Sequence, residues 1–297
     1  MSNLLRTLLY VPGNNPGMVR DAGIYGADCV MFDLEDSVAV TEKDSARFLV
    51  SEALSSIDYP VDIYVRINGL DTAYGLEDLE AIVRTGKSGI RLPKAETGDD
   101  VRAIDREITR IEKEAGLPEG STKLLVSIES AKGVLNALDI ASASPRLVGI
   151  AIGGEDYVTD LKTRRSPEGI ELLFGRSMVL LAARAAGVAA IDTVYSDANN
   201  EEGLRAETSL IKQLGFDGKS VINPRQIGPV HEVFAPTQKE VDNALDVMEA
   251  IAEANRRGSG VIALKGKMID KPIVMRAERT LQLAEAVGMI KKGDVAR

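Results

Sequence analysis

The sequence predicts an α/β protein: a (β/α)8 barrel, or TIM barrel, followed by a C-terminal helical extension. The chain has 297 residues and 44% hydrophobic content, which is enough to bury a large core. Short β-branched runs alternate with longer segments of helical spacing. About eight such units recur at intervals of about 30 residues, as this barrel requires. A doubly wound parallel sheet also alternates strands and helices, but the strand count and the regular spacing favour the barrel.

The strand candidates are apolar runs bounded by turns or by charged residues. In chain order they are residues 8–12, 29–34, 62–68, 89–94, 123–130, 147–154, 188–196 and 219–224. Helical spacing fills the segments between them, for example residues 100–115 and 168–186. We found no internal repeat or low-complexity segment that interrupts this order.

After residue 235 the pattern changes, so we place the barrel at 1–235 and a separate extension at 236–297. The segment that starts at Pro236 and Thr237 predicts one long helix ended by Gly258, and a last helix runs from Ile273 to Val287. The extension is too apolar to be a disordered tail, and we therefore expect it to pack against something.

Charge and composition exclude several classes of function. The net charge of −9 argues against a nucleic-acid partner, because phosphates would be repelled. No apolar run is long enough to cross a bilayer, and the residues after Met1 lack the apolar stretch of a signal peptide, which predicts a cytoplasmic protein with no membrane contact.

The single Cys29 allows no internal disulfide or thiolate cluster, and we expect a buried, inert thiol. The single His231 excludes histidine-based zinc sites and Ser-His-Asp catalysis, and should have a surface or packing role.

Charged residues gather where the predicted strands end, which is where barrel enzymes build their active sites. The second strand ends in Asp33, Glu35 and Asp36, the third in Arg66 and Asn68, the fourth in Lys94, the fifth in Glu129, and the sixth runs into Glu155 and Asp156. Carboxylates that converge from separate strands suit a hard divalent cation such as Mg²⁺. The alternative is that each of these residues is an ordinary salt-bridged or capping residue at a strand-to-helix turn.

The segment "VPGNNPGM" after the first strand is a second candidate site. Asn14 or Asn15 could cap a helix with Pro16 in its first turn, and this would leave backbone N–H groups free to receive a phosphate. A plain turn and cap is an equally good interpretation. The segment "AIGGED" is not a dinucleotide fingerprint, because it lacks the third glycine and an acidic pair follows at once.

Seven segments together resemble the signature blocks of one family. They are "LLYVPGNNPGM", "ADCVMFDLEDSV", "VRINGL", "RLPKAE", "SIESAKGV", "GIAIGGEDY" and "GKMIDKP". In this order, from Arg6 to about Leu283, they are similar to the HpcH/HpaI-type aldolases and the citramalyl-, malyl- and β-methylmalyl-CoA lyases, and most of all to the citrate lyase β subunits of that family.

The resemblance implies a Mg²⁺-dependent retro-Claisen cleavage of a citryl thioester to oxaloacetate and an acetyl thioester. The metal ligands of the family fall on Glu129 and Asp156, and Glu35 and Asp36 match outer-shell residues that hold metal-bound waters. Arg66 would bind a substrate carboxylate with its planar fork, although it could instead be a structural partner of Glu35 or Asp36.

Further roles follow from the same resemblance. Lys94 is a catalytic candidate, with the alternative that it only balances neighbouring acids, and Glu129 and Asn68 are candidates for substrate binding. Pro12, Gly13 and Asn14 would contact the phosphates of a CoA-like carrier, which is either free CoA or the prosthetic group of an acyl carrier protein.

The resemblance also implies partners. The chain would work with a citrate lyase α subunit (CoA transferase) and a γ subunit (acyl carrier protein), and would form a homo-oligomer, a trimer or hexamer. In related acyl-CoA lyases the aspartate that matches Asp270 comes from the C-terminal arm of a neighbouring subunit. Asp270 would then be catalytic and protonate the acetyl-thioester enolate; alternatively, it merely caps the final helix. Two other classes remain open: a stand-alone malyl- or citramalyl-CoA lyase, thioesterase or pyruvate-type aldolase, and a non-catalytic scaffold subunit.

Overall fold

The first of two compact units is a closed barrel of eight parallel strands. The computed structural model describes residues 4–257, 263–264 and 267–291, and the chain divides into units Met1–His231 and Glu232–Arg297. The barrel strands pair in chain order, and the first strand closes on the eighth. This arrangement confirms the predicted TIM barrel and excludes the doubly wound sheet.

Each predicted strand is present, and most are shorter than the sequence suggested. The barrel strands are β1 (Thr7–Pro12), β2 (Cys29–Asp33), β3 (Asp62–Arg66), β4 (Gly89–Leu92), β5 (Leu124–Ile128), β6 (Leu147–Ile152), β7 (Ala189–Asp192) and β8 (Gly218–Val221). The predicted strands continued into residues such as Asn68, Lys94 and Glu129, which lie just beyond the strand ends. These residues lie where the backbone leaves the sheet and turns toward the next helix.

Helices follow the barrel strands, and several of them pack against the strands. They are α1 (Pro16–Asp21), α2 (Lys43–Ser56), α3 (Gly75–Val83), α4 (Gly98–Ala115), α5 (Ala131–Leu135), α6 (Ala137–Ala141), α7 (Gly154–Asp160), α8 (Ile170–Ala186), α9 (Glu201–Leu214) and α10 (Ile227–Phe234). Helix α4 shows why they form. Thr97 and Asp100 make a capping box at its start, and Gly116 ends it with a φ of 70°. Its buried stripe includes Val101, Ile104 and Ile108, at helical spacing.

Alternate residues of the strands point into the barrel. One cluster of inward residues is apolar and buried: Leu8, Cys29, Met31, Tyr64, Leu125, Ala151 and Ile191. Two residues further along their strands, Tyr10, Arg66 and Ser127 share this inward direction. The interior of the barrel is therefore apolar in its lower part, toward the N-terminal ends of the strands, and becomes polar toward their C-terminal ends.

The single cysteine and the single histidine lie away from the cavity described below. Cys29 is buried, as predicted, and burial raises the pKa of its thiol far above the usual range. The Nε2 atom of His231 lies 2.8 Å from Thr7 Oγ1 and 3.5 Å from Asp28 Oδ1, next to the start of β1. Burial lowers the pKa of this imidazole, and its contacts are those of a packing residue.

The second unit has its own hydrophobic core. Helices α11 (Gln238–Arg257) and α12 (Lys271–Ala286) enclose buried side chains that include Val241, Val247 and Leu281. Between them, β9 (Ala263–Leu264) and β10 (Lys267–Met268) pair as antiparallel strands. Gly258, the predicted end of the long helix, lies outside the described residues.

None of the described helices combines the length and the apolar character needed to cross a membrane.

Candidate active site

A cavity of about 440 Å³ opens at the C-terminal ends of the barrel strands. Its lining includes Tyr10 and Pro12 from β1, Asp33 and Asp36 from β2 and its loop, Arg66 and Arg91 from β3 and β4, Glu129 after β5, Asp156 on α7, Thr193 after β7, and Ser220 on β8. The structure thus brings the predicted residues Pro12, Asp36, Arg66, Glu129 and Asp156 to one cavity.

Two carboxyl groups meet at this cavity. Glu129 follows β5 and is buried, whereas Asp156 is exposed in the first turn of α7. Burial is the main reason that the pKa of Glu129 rises to about 8, and the neighbouring carboxyl of Asp156 and the charge of Glu35 raise it further. Gly153 makes room for this arrangement, because a Cβ there would lie 2.6 Å from Glu129 Cγ. Two carboxyls this close need a proton or a cation between them.

Arg66 forms ion pairs with three acids. Glu35 and Asp36 were its predicted alternative partners, and Asp33 was not predicted. Its Nε and Nη2 donate to the two carboxylate oxygens of Asp33, at 2.6 and 2.7 Å. Its Nη1 lies 2.8 Å from Glu35 Oε2 and 3.2 Å from Asp36 Oδ2. Burial alone would raise the pKa of Asp33, but the hydrogen bonds and charge of Arg66 outweigh it and hold this pKa below the usual value.

Lys94 contacts two of these three acids, Glu35 and Asp36. Its Nζ lies 2.7 Å from Glu35 Oε1 and 3.4 Å from Asp36 Oδ1, and its backbone has a φ of 51°, in the left-handed region. Burial raises the pKa of Glu35, although the charges of Arg66 and Lys94 oppose the change. These contacts are those of a lysine that balances neighbouring acids, the alternative interpretation of Lys94.

Asn68 does not line the cavity. Its side-chain amide is buried and donates to the carbonyl of Leu34 at 2.9 Å and to Asp78 Oδ2 at 2.6 Å. Its backbone N–H donates to the same Asp78 oxygen at 3.0 Å. In the structure Asn68 therefore links β3 to α3, and its contact with substrate stays a prediction.

The loop after β1 has the contacts of a turn and a cap. The side chain of Asn15 accepts from the N–H of Met18 at 3.0 Å and starts α1, and Asn14 donates to Glu42. Gly13 is needed for packing, because a Cβ there would lie 2.8 Å from the carbonyl oxygen of Asp33. Of the three residues predicted to contact the carrier, only Pro12 lines the cavity.

Three residues that line the cavity were not predicted from the sequence: Tyr10, Arg91 and Thr193. The ring of Tyr10 lies beneath two guanidinium groups, with its centroid 5.2 Å from Arg66 Cζ and 5.4 Å from Arg91 Cζ. Thr193 accepts from the N–H of Gly154 at 2.8 Å and so fixes the start of the helix that carries Asp156. Period-two counting back from the strand ends would have identified Tyr10 and Arg91 as inward-facing.

Comparisons with known proteins identify the family of the chain. Residues 6–224 match the family model HpcH/HpaI aldolase/citrate lyase. The chain is 56% identical to the citrate lyase subunit beta of Leuconostoc mesenteroides subsp. cremoris over 284 residues, which is 95% of this chain and 94% of that protein. Two structures of Mycobacterium tuberculosis proteins are also similar.

The first is CitE in complex with magnesium, acetoacetate and coenzyme A, with a TM-score of 0.76 and 31% identity over 96% of this chain and 99% of that one. The second is a citrate lyase beta subunit complexed with oxaloacetate and magnesium, with a TM-score of 0.67 and 31% identity over 78% of this chain and 98% of that one. The fold, the family match and the identity to a curated relative together show that this chain belongs to the HpcH/HpaI aldolase/citrate lyase family.

Proposed function

We propose that the chain is the β subunit of a citrate lyase and cleaves a citryl thioester to oxaloacetate and an acetyl thioester in a Mg²⁺-dependent retro-Claisen reaction. The observation that carries this proposal is the pair of carboxyls of Glu129 and Asp156 in a cavity that also contains Arg66. The identity of 56% to a citrate lyase subunit beta supports the choice of substrate and the class of carbon–carbon lyase.

The residues present fit a magnesium ion. Glu129 and Asp156 would hold it, because a cation between them would relieve the repulsion that raises the pKa of Glu129. In the part of the chain that the structure describes, no three Asp, Glu, His or Cys side chains could hold a metal by themselves. Mg²⁺ does not require such a cluster, since it usually binds one or two carboxylates and completes its shell with waters and substrate oxygens. When bound, it would polarise the hydroxyl group of the substrate and stabilise negative charge on that oxygen.

The other acids fit a supporting role. Glu35 is buried and is held by Arg66 and Lys94. Its Oε2 is ion-paired with Arg66 Nη1 but accepts no hydrogen bond within the described residues, so a metal-bound water can still donate to it. Asp36 is exposed beside it and contacts the same two cations. We propose that Glu35 and Asp36 orient waters of the metal.

Arg66 would orient the carboxylate next to the substrate hydroxyl. Its contacts with Asp33 and Glu35 fix the guanidinium at the wall of the cavity. Arginine has five N–H donors. Nε and Nη2 each donate to Asp33, and Nη1 donates to Asp36 and lies against Glu35, which leaves the second N–H of Nη2 for the substrate.

The remaining parts of the proposal concern carrier, assembly and location. The thioester carrier would be CoA or the CoA-like group of an acyl carrier protein, and the chain would assemble with α and γ subunits in the cytoplasm. We further propose a homo-oligomer, a trimer or hexamer, in which Asp270 acts at the site of a neighbouring copy.

The deciding experiment is an assay of the purified chain with citryl-CoA, malyl-CoA and citramalyl-CoA, each with Mg²⁺ and with EDTA. We expect oxaloacetate and acetyl-CoA from citryl-CoA, only when Mg²⁺ is present. Faster cleavage of malyl- or citramalyl-CoA would indicate a stand-alone lyase, and release of CoA without C–C cleavage a thioesterase. Absence of turnover with every substrate, including citryl groups on the acyl carrier protein, would indicate a scaffold.

Arg66→Lys separates substrate orientation from metal binding. It keeps the charge but loses the planar fork, so we expect kcat/KM to fall by on the order of 10² or more. Mg²⁺ affinity, measured by titration calorimetry, should change little. If Mg²⁺ affinity collapses while kcat/KM at saturating metal is kept, Arg66 serves only to hold the acids.

A further inference from the structure

Arg91 is a buried cation that has no acidic partner among the described residues. Only 2% of its surface is exposed. Its Nε donates to Ser127 Oγ at 2.7 Å, and its guanidinium lies over the ring of Tyr10. Its Nη1 is buried and makes no hydrogen bond within the described residues, although the residue lines the cavity. A buried charge without a counter-ion is costly.

Other buried arginines of the barrel unit show what is missing at Arg91. Each of them contacts a carboxylate within 3 Å: Arg47 with Asp78, Arg146 with Glu112, and Arg176 with Asp192. Arg91 differs from them in facing the cavity, where a ligand could supply the anion.

The position of Arg91 places it beside the cation already assigned to the substrate. Arg66 and Arg91 are directly paired residues of the adjacent strands β3 and β4, and both lie against Tyr10. Three acids neutralise Arg66, so the unbalanced positive charge of this wall belongs to Arg91. Ser220, on β8, lines the same cavity and its buried Oγ also makes no hydrogen bond within the described part of the chain.

We propose that Arg91, with Ser220 as an additional donor, binds the second free carboxylate of the substrate and so selects citryl over malyl and citramalyl thioesters. This inference rests on the proposed function. The half of a citryl thioester that becomes oxaloacetate carries two carboxylates. The corresponding half of a malyl or citramalyl thioester, which becomes glyoxylate or pyruvate, carries one. A substrate with one carboxylate leaves Arg91 buried and unpaired, and a site built for a polar partner discriminates strongly against a ligand that lacks it.

The inference can be tested by binding, without any thioester. Titration calorimetry of the full chain with Mg²⁺ compares oxaloacetate with pyruvate. We expect the native chain to bind oxaloacetate more tightly by on the order of 10²-fold, and Arg91→Met to reduce this preference to less than about threefold. Arg91→Lys, which keeps the charge but not the fork, should lie between them. Arg6→Met is the matched control: it removes one positive charge at the start of β1, where Arg6 pairs with Asp28, and should leave the preference unchanged.

Turnover supplies the second measurement. In Arg91→Met, kcat/KM for citryl-CoA should fall by on the order of 10² or more, while kcat/KM for citramalyl-CoA stays within about threefold of the native value. An equal loss for both substrates, or an unchanged preference in the binding experiment, would overturn the proposal. If the native chain cleaves no citryl thioester, the proposed function fails, and the comparison of oxaloacetate with pyruvate still decides the role of Arg91.

Folding is checked by thermal melting. Because the charge of Arg91 is unpaired, its replacement by Met should leave the melting temperature equal or higher. If Arg91→Met does not fold, Arg91→Lys and Ser220→Ala decide the question, since both are predicted to reduce the preference for oxaloacetate and an unreduced preference in both contradicts the proposal.

Discussion

Glu129→Gln is expected to lower kcat for citryl-CoA by on the order of 10³ or more, because losing a metal ligand removes several kcal/mol of transition-state stabilisation. The substitution keeps the shape of the side chain and removes the group whose pKa is raised by burial and by Asp156. Without metal, the variant should therefore be at least as stable as the native protein, since two neighbouring carboxyls are replaced by a carboxyl and an amide.

Thermal melting with Mg²⁺ and with EDTA separates metal binding from catalysis. A ligand that binds only the folded state stabilises it by about 2.7 kcal/mol at a concentration of 100 times Kd. The native protein should show this upward shift in Tm with Mg²⁺, and Glu129→Gln should not. Glu155→Gln is the matched control, because Glu155 neighbours Asp156 but is paired with Arg165 at 2.9 Å. A full Mg²⁺ shift and near-native turnover in Glu129→Gln would remove Glu129 from the metal site.

The fold could be predicted because its signals are local. A period of two in the strands and a period near 3.6 in the helices can be read along the chain, and the repeated order of the two left few topologies to consider. The ends of the strands were predicted less accurately than their order. Near the rim, residues such as Lys94 and Glu129 continue an apolar segment in the sequence while the backbone has already left the sheet.

The partners of the site residues could not be predicted in the same way, because they depend on register between strands. Arg66 and Asp33 are directly paired on β3 and β2, and this pairing gives Arg66 its bidentate partner. The sequence shows both residues but not their alignment. The partner of Asn68 depends on how α3 packs beside the end of β3, because its amide donates to Asp78 on that helix.

Unpaired charge is information that only the structure provides. The period of two predicts that Arg91 faces inward, but the sequence does not show which of the basic residues near the strand ends has an acidic partner. The distinction comes from the partners of each cation: Lys94 and Arg66 share the acids of the β2 loop, whereas Arg91 contacts a hydroxyl and an aromatic ring. The acids after β2 thus pair with Arg66 and Lys94, and Arg91 keeps its charge for a ligand.

Asp270→Asn is expected to slow cleavage by on the order of 10²–10³ while Mg²⁺ and substrate still bind, because we propose that Asp270 protonates the acetyl-thioester enolate that C–C cleavage produces. Glu129 and Asp156 are poorly suited to this step if their lone pairs are committed to the metal. The substitution leaves the local structure intact. Asp270 caps α12 by accepting from the N–H of Ile273 at 3.1 Å, and asparagine is an equally good N-cap residue. Asp270→Ala, which loses the cap as well, should also be less stable by about 1 kcal/mol.

Subunit mixing tests whether Asp270 acts on a neighbouring copy. Asp270 is exposed in the structure, so a second chain can reach it. Asp270→Asn and Glu129→Gln are each expected to be nearly inactive, but a mixture that has exchanged subunits should regain activity at about one quarter of its sites, those that take the intact Glu129 and the intact Asp270 from different chains. Exchange is verified by mass spectrometry of isotope-labelled subunits. An exchanged mixture that stays inactive, or a monomer with full activity, would show that Asp270 does not act in trans.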